Sequence, residues 1–255
     1  MRTEYFHVDS KHREGGVYGT APNFYRWKFP HTIRGVHRVE VLYAEIPNSQ
    51  YNVPNGNILY FQTAATLTGA RTTYSISITP GNYNYATFET AINAALVPYS
   101  LTADVSESTG KLSLYGTGNF VWFLPPSTSR CYGVSNTFEG NGSYCTSLNV
   151  VNLNSTMAYF LRIPELGQTH NDIHTSGSMY ASNRPGVIGR FQNTGAPFDV
   201  NCYKNEFSVY FKKANPAFLL NLTEFTVEWI DTDGYGVDFN GADHSFFLKV
   251  TYEDQ

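Results

Sequence analysis

The sequence predicts an all-β fold, a single jelly-roll β-sandwich with one short helix and long loop insertions. Three observations predict it. Apolar residues recur at every second position in many short segments, clusters of Gly, Pro and Asn separate those segments, and a period near 3.6 governs one segment alone. At 255 residues the chain has a length at which β-sandwiches form one domain. It buries enough surface to hold a core without a disulfide or a metal.

Residues 1–23 read as an extended N-terminal arm ending in Gly15-Gly16, Gly19 and Pro22. Residues 24–255 read as the jelly-roll domain. In Phe24 to Phe29, Arg26 and Lys28 alternate with Tyr25, Trp27 and Phe29, the pattern of a half-buried strand that Pro30 closes. Val36 to Ile46 forms a longer strand stopped by Pro47-Asn48, and Ile58 to Thr63 and Thr72 to Thr79 follow. After the Pro80-Gly81-Asn82 turn, Phe88, Ile92 and Leu96 recur at i, i+4 and i+8 until Pro98, which predicts a short amphipathic helix lying on a sheet. Strands resume at Leu101 to Val105, Lys111 to Tyr115 and Phe120 to Leu124, the first two joined by a hairpin-like Ser108-Thr109-Gly110 turn. Met157 to Ile163, Val187 to Phe191, Glu206 to Phe211, Glu224 to Ile230 and Ser245 to Tyr252 complete the set. Two loop-rich insertions interrupt it, at about 125–156 and 164–204.

Composition narrows the function. Charged residues make up 15% of the chain and aromatic residues 16%, with 19 Tyr and 18 Phe. Interface cores are enriched in Tyr and Phe and depleted of Lys, Glu and Asp, so the balance points to a surface made for contact. Net charge is −4 with no basic run, which argues against direct nucleic-acid binding. No stretch of about 18 apolar residues is present to form a transmembrane segment. The N-terminus lacks the apolar core of a signal peptide, so synthesis in the cytosol is expected. Cys131, Cys145 and Cys202 are an odd number without CxxC spacing, which makes a disulfide framework unexpected.

Three segments together resemble the single-jelly-roll penton and minor capsid proteins of nucleocytoplasmic large DNA viruses and virophages. The first is Val8-Asp9-Ser10-Lys11-His12-Arg13 with the Phe24–Phe29 strand. The second runs from Val36 to Tyr51 and on through Ile58-Leu59-Tyr60-Phe61, the Gly81-Asn82-Tyr83 turn and the Phe88–Leu96 helix. The third is Phe225-Thr226-Val227-Glu228-Trp229 followed by Val237 to Phe246. The resemblance covers most of the chain and is weakest over 135–205. It implies a virion component assembled in the host cytoplasm, a penton forming homopentamers at the five-fold vertices. Its partners would be copies of itself, major capsid protein trimers and other minor capsid proteins. The alternatives are a non-vertex minor capsid protein that cements capsomers, and a glycan-binding β-sandwich used in host attachment.

Motifs that would carry other chemistry fall short. His170 and His174 have metal-ligand spacing but lie in a Gly-flanked loop without the adjacent Glu of a zinc protease. Asp231, Asp233 and Asp238 open like a calcium loop, yet Tyr235 and Ala242 occupy positions that need ligands, so a tight turn is the better reading. Asp243-His244-Ser245 holds triad residue types, but neighbours on a strand point to opposite faces, and His244 is expected to satisfy a backbone group. No enzyme activity, cofactor or metal is expected. The candidate contact residues are Asp9, Ser10 and Arg13 in the arm and Tyr132, Tyr144 and Tyr180 in the loops. Arg13 is suited to pairing with a carboxylate, and the three tyrosines to stacking on a protein or sugar face.

Overall fold

A computed structural model describes residues 1–13, 21–116, 120–124, 130–134, 139–154, 156–166, 186–204, 220–232 and 234–253. Among them run fourteen strands, in chain order β1 (Arg2–Asp9), β2 (Phe24–Pro47), β3 (Leu59–Ala64), β4 (Thr72–Ile76), β5 (Leu101–Val105), β6 (Leu112–Gly116) and β7 (Phe120–Leu124). The remainder are β8 (Glu139–Gly142), β9 (Tyr144–Thr146), β10 (Ala158–Arg162), β11 (Val187–Gln192), β12 (Val200–Lys204), β13 (Leu220–Ile230) and β14 (Ser245–Tyr252). Helix α1 (Tyr85–Leu96) falls between β4 and β5. The chain divides into two units, one made of Met1–Gln50 with Thr156–Gln255, the other of Tyr51–Ser155.

The first unit is built on a seven-stranded antiparallel sheet in the order β1-β14-β2-β13-β10-β11, with β12 also paired to β2. All neighbours in the sheet except β10 and β11 are non-consecutive in the chain, as in Greek-key and jelly-roll sheets. The sheet curls until its two halves share one core. Phe6 on β1 meets Trp27 and Phe29 on the first half of β2, with ring centroids 5.9 and 4.8 Å apart. Trp229 on β13 meets His244 and Phe246 at 5.0 and 6.1 Å. Val39, Val41, Leu248 and Val250 belong to the same buried cluster as Tyr25, Phe225, Val227 and Tyr159. The all-β sandwich expectation therefore holds.

Two strands expected on either side of Pro30 are one. β2 runs 24 residues, pairing with β13 along its first half and with β14 and β12 along its second. Phe29-Pro30-His31-Thr32 lies opposite Thr223 alone, between the Lys28–Glu224 and Ile33–Leu222 pairs. Pro30 thus stands in a bulge, where no ladder N–H is required, and does not end the strand. Gly35 takes a positive φ of 62°, and a Cβ there would meet Glu253 Cβ at 3.0 Å. Glycine is required at that point for both reasons.

The arm also differs from a free segment. It is extended, but all eight residues of β1 pair in register with β14, from Arg2 opposite Tyr252 to Asp9 opposite Ser245. The expected Glu206–Phe211 strand lies outside the described residues.

The second unit holds a four-stranded sheet, β4-β3-β7-β8, and a three-stranded one, β5-β6-β9. Strands β8 and β9 arise within the segment whose weak periodicity reads as loop. Helix α1 matches its sequence signature. Asn84 and Thr87 form a capping box, and Phe88, Ile92 and Leu96 are buried. Asn93 exchanges two hydrogen bonds with the Ala103 backbone at 2.7 and 2.9 Å, and the Glu89 carboxylate accepts from Val105 N at 2.9 Å, which ties the helix to β5.

Buried Asn57 organises this core. Its amide donates to the Pro54 and Ile78 carbonyls at 2.8 and 3.0 Å, and its Oδ1 accepts from Ile78 N at 3.0 Å and Tyr132 Oη at 2.7 Å. Replacing Asn57 with Ala leaves several buried groups unpaired. It should cost about 3 kcal/mol of stability, read as a lower urea midpoint with an unchanged slope.

Candidate functional site

The sequence-predicted arm residues converge on a clamp that fastens β1. Asp9 caps a short 3-10 turn, its Oδ1 accepting from Lys11 N at 2.9 Å. Ser10 is fully buried. Its hydroxyl donates to Asp243 Oδ1 at 2.8 Å and accepts from His244 N at 3.0 Å, while Ser10 N donates to His244 O at 3.0 Å. Arg13 donates to the Ser10 carbonyl and to Asp243 Oδ1, both at 2.6 Å. Arg13 therefore meets a carboxylate of its own chain. Burial pushes the Asp243 carboxyl up, but hydrogen bonds from Ser10 and Arg13 with the Arg13 and Lys11 charges outweigh it and hold the group below its usual value.

His244 completes the clamp. Nε2 lies 2.8 Å from the Pro22 carbonyl, so the neutral tautomer carries its proton there. This is the backbone-satisfying role expected from the sequence. The ring is packed by Tyr25, Trp229 and Phe239. Burial lowers its pKa from 6.5 to about 4, and burial followed by the Asp9 charge raises that of the Tyr25 hydroxyl. The serine proton is directed at Asp243 and the imidazole at Pro22, so Ser10, His244 and Asp243 are not arranged as nucleophile, base and orienter.

From this anchor β1 presents an outward row the sequence reading missed. Rings of His7 and Phe247 stack at 4.6 Å and 21°, and Phe247 meets Tyr43 edge-on at 6.3 Å. The three residues lie directly across β1, β14 and β2 from one another. Tyr5, one rung along, is 63% exposed. Beside the row Tyr43 donates to Glu45 at 2.8 Å, and hydrogen bonding with Cys202 and Glu45 pushes its hydroxyl up. Glu40 is buried between Arg38, which it accepts from, and Lys249 at 3.5 Å. The signal was present in the period-2 run Tyr5, His7, Asp9 against Phe6, Val8. Among the described residues β1 is the outer strand of the sheet and pairs with β14 in unbroken register; it contains no Pro, Lys or bulge, and its charged residues Arg2, Glu4 and Asp9 leave the stretch Tyr5–Val8 uncharged apart from His7.

The loop tyrosines are scattered. Tyr132 is buried in the core of the second unit, where burial raises its hydroxyl pKa. Tyr144 is 57% exposed on β9. Tyr180, His170, His174 and Asp233 lie outside the described residues. Asp231 closes a turn, its Oδ1 accepting from Tyr235 N at 2.8 Å, and Asp238 Oδ1 accepts from Asn240 N at 2.8 Å. Among the described residues no group of three or more His, Cys, Asp or Glu could hold a metal, and no helix is long and apolar enough to cross a membrane. Cys131, Cys145 and Cys202 form no disulfide.

A family model described as a family of unknown function (DUF5901) matches residues 2–159. No curated protein matches. Among solved structures, the mavirus penton protein is 11% identical, with 99% of this chain and 100% of that one covered and a TM-score of 0.47. Two domains of the flagellar cap protein from Escherichia coli are 12% identical over 99% and 100% of the chains, with a TM-score of 0.16. At these TM-scores neither likeness supports an argument about function.

The clamp makes stability depend on pH. His244 titrates lower in the folded than in the unfolded chain, so the unfolded state binds more protons below 6.5. The stability it contributes is fully present above 6.5 and falls as pH drops towards about 4. Asp243, held below its ordinary 3.8, adds a loss only under that value. Urea midpoints should decline through the first window, and His244→Phe should flatten that decline.

Proposed function

The chain belongs to the DUF5901 family, and we propose that this member is a structural capsid protein that acts by packing against copies of itself and against neighbouring capsid chains. The observation that carries the reading is the outward row His7–Phe247–Tyr43 bordering edge strand β1, which the Ser10–Asp243–Arg13–His244 clamp holds rigid. A preformed apolar surface loses little conformational entropy on association. The resemblance of the Val8–Arg13, Val36–Tyr51 and Phe225–Phe246 segments to penton and minor capsid proteins supports the same reading, as does the low charge of 15%.

In the finer form of the proposal the protein is the vertex protein. Five copies form a closed ring through a head-to-tail interface, a contact that generates a ring when its rotation closes. Major capsid protein trimers and other minor capsid proteins surround it in a virion assembled in the host cytoplasm. Asp9, Ser10 and Arg13 serve by fixing the edge that neighbours meet. No chemical step is required of the protein.

Sedimentation analysis of the purified protein should show five-copy particles, and Phe247→Lys should shift them towards monomer without moving the melting temperature. Gold labelling of intact particles should mark the vertices. A monomer at high concentration, together with label away from the vertices, would overturn the proposal.

A further inference from the structure

The three-stranded sheet of the second unit carries a surface that the capsid reading does not use. Its inner side is buried, with Leu101, Ala103, Val105, Leu112, Leu114 and Cys145 in the core. Side chains alternate along strands, so the intervening residues share the opposite face. Cross-strand register lines them up in two rungs. Thr102, Tyr115 and Tyr144 are directly opposite one another, and so are Asp104, Ser113 and Thr146.

In the first rung the two tyrosine rings stack with centroids 5.9 Å apart and planes at 26°, and they remain 42% and 57% exposed. In the second rung the hydroxyl of buried Ser113 lies 2.8 Å from that of exposed Thr146, and Asp104 is exposed beside them. An aromatic platform thus borders an exposed hydroxyl and an exposed carboxylate, Thr146 and Asp104, all on ladder positions and none on loops.

We propose that this face binds an uncharged pyranose ring, as found at the end of a glycan. A pyranose has a C–H face that packs on aromatic rings and a rim of hydroxyls that seeks acceptors and hydroxyl partners, the same division of chemistry that the two rungs present. A protein partner is less well matched, because Asp and Ser are depleted in protein–protein interface cores. Asp104 repels phosphate, sulfate and carboxylate groups, which excludes nucleic acid and acidic sugars. The carboxylate instead accepts from a pair of sugar hydroxyls, while Tyr115 and Tyr144 take the apolar face.

The test is saturation-transfer NMR on the whole chain. The probes are the methyl glycosides of glucose, galactose, mannose and N-acetylglucosamine, with the methyl glycoside of sialic acid as the acidic comparison. At least one neutral sugar should receive saturation, strongest on its ring C–H protons, and the sialoside should not. Tyr144→Ala should weaken binding about ten-fold, with the melting temperature unchanged because the ring is exposed. Nuclear Overhauser contacts between sugar ring protons and a tyrosine ring of the unaltered protein keep the result independent of any variant that misfolds. Absence of transfer from every neutral sugar would overturn the proposal, and so would binding that survives Tyr115→Ala/Tyr144→Ala in a folded protein. Either failure leaves the capsid reading standing, since that rests on the other unit.

Discussion

One strand sets the geometry of the first unit. β2 must satisfy β13 over its first half and β14 and β12 over its second. A single flat strand cannot supply those partners and also bring both halves of the sheet over one core. The bulge at Pro30 and the positive-φ Gly35 allow the turn from one task to the other. Once β2 is bent, Phe6 comes against Trp27 and Phe29, within the cluster that includes Trp229 and Phe225. β-Bulges increase local twist and redirect strands, which is why sheets that close on themselves use them.

Bending β2 also makes the surface. With β14 fixed along its second half, β1 is added as the last strand on that side, and the polar clamp at its end stops it from peeling away. A frayed edge strand would present Tyr5 and His7 in many arrangements. The hydrogen bonds from Ser10 and Arg13 to Asp243 and the buried contact of His244 with Pro22 leave one. The arm residues singled out in the sequence thus act through position. They determine where their neighbours on β1 point.

A second polar network does comparable work on the loop before β12. Asn48 Oδ1 accepts from Asn193 Nδ2 at 2.8 Å, Asn193 Oδ1 accepts from Asn201 Nδ2 at 2.9 Å, and Asn201 Oδ1 accepts from Gly195 N at 2.8 Å. Asn48 and Phe198 are further joined by a backbone bond of 2.7 Å from Phe198 N. Phe198 is held at φ 72° with its ring 70% exposed. A left-handed conformation at a bulky residue costs roughly 1–2 kcal/mol, and the asparagine bonds offset it. Asn48 and Asn201 are buried, and half-buried Asn193 supplies the partner that each of their amides needs.

The sequence by itself determined the fold class and most of the strands. Alternation in Phe24–Phe29, Leu101–Val105 and Ser245–Tyr252, and the i, i+4, i+8 spacing of Phe88, Ile92 and Leu96, are local properties written in neighbouring residues, and each appears where its pattern lies. It also showed that Asp231 closes a turn and that His244 serves a backbone group. Only the tertiary structure decided that Pro30 does not end its strand, because a bulge depends on the partner strand. It decided too that Arg2–Asp9 of the arm is a paired strand, that Tyr132 is core and Tyr144 surface, and that Tyr5, His7, Tyr43 and Phe247 form one face. Those residues come from three strands as far apart as positions 5 and 247. Register between distant strands is set by packing of the whole curled sheet, and no window of sequence contains that information.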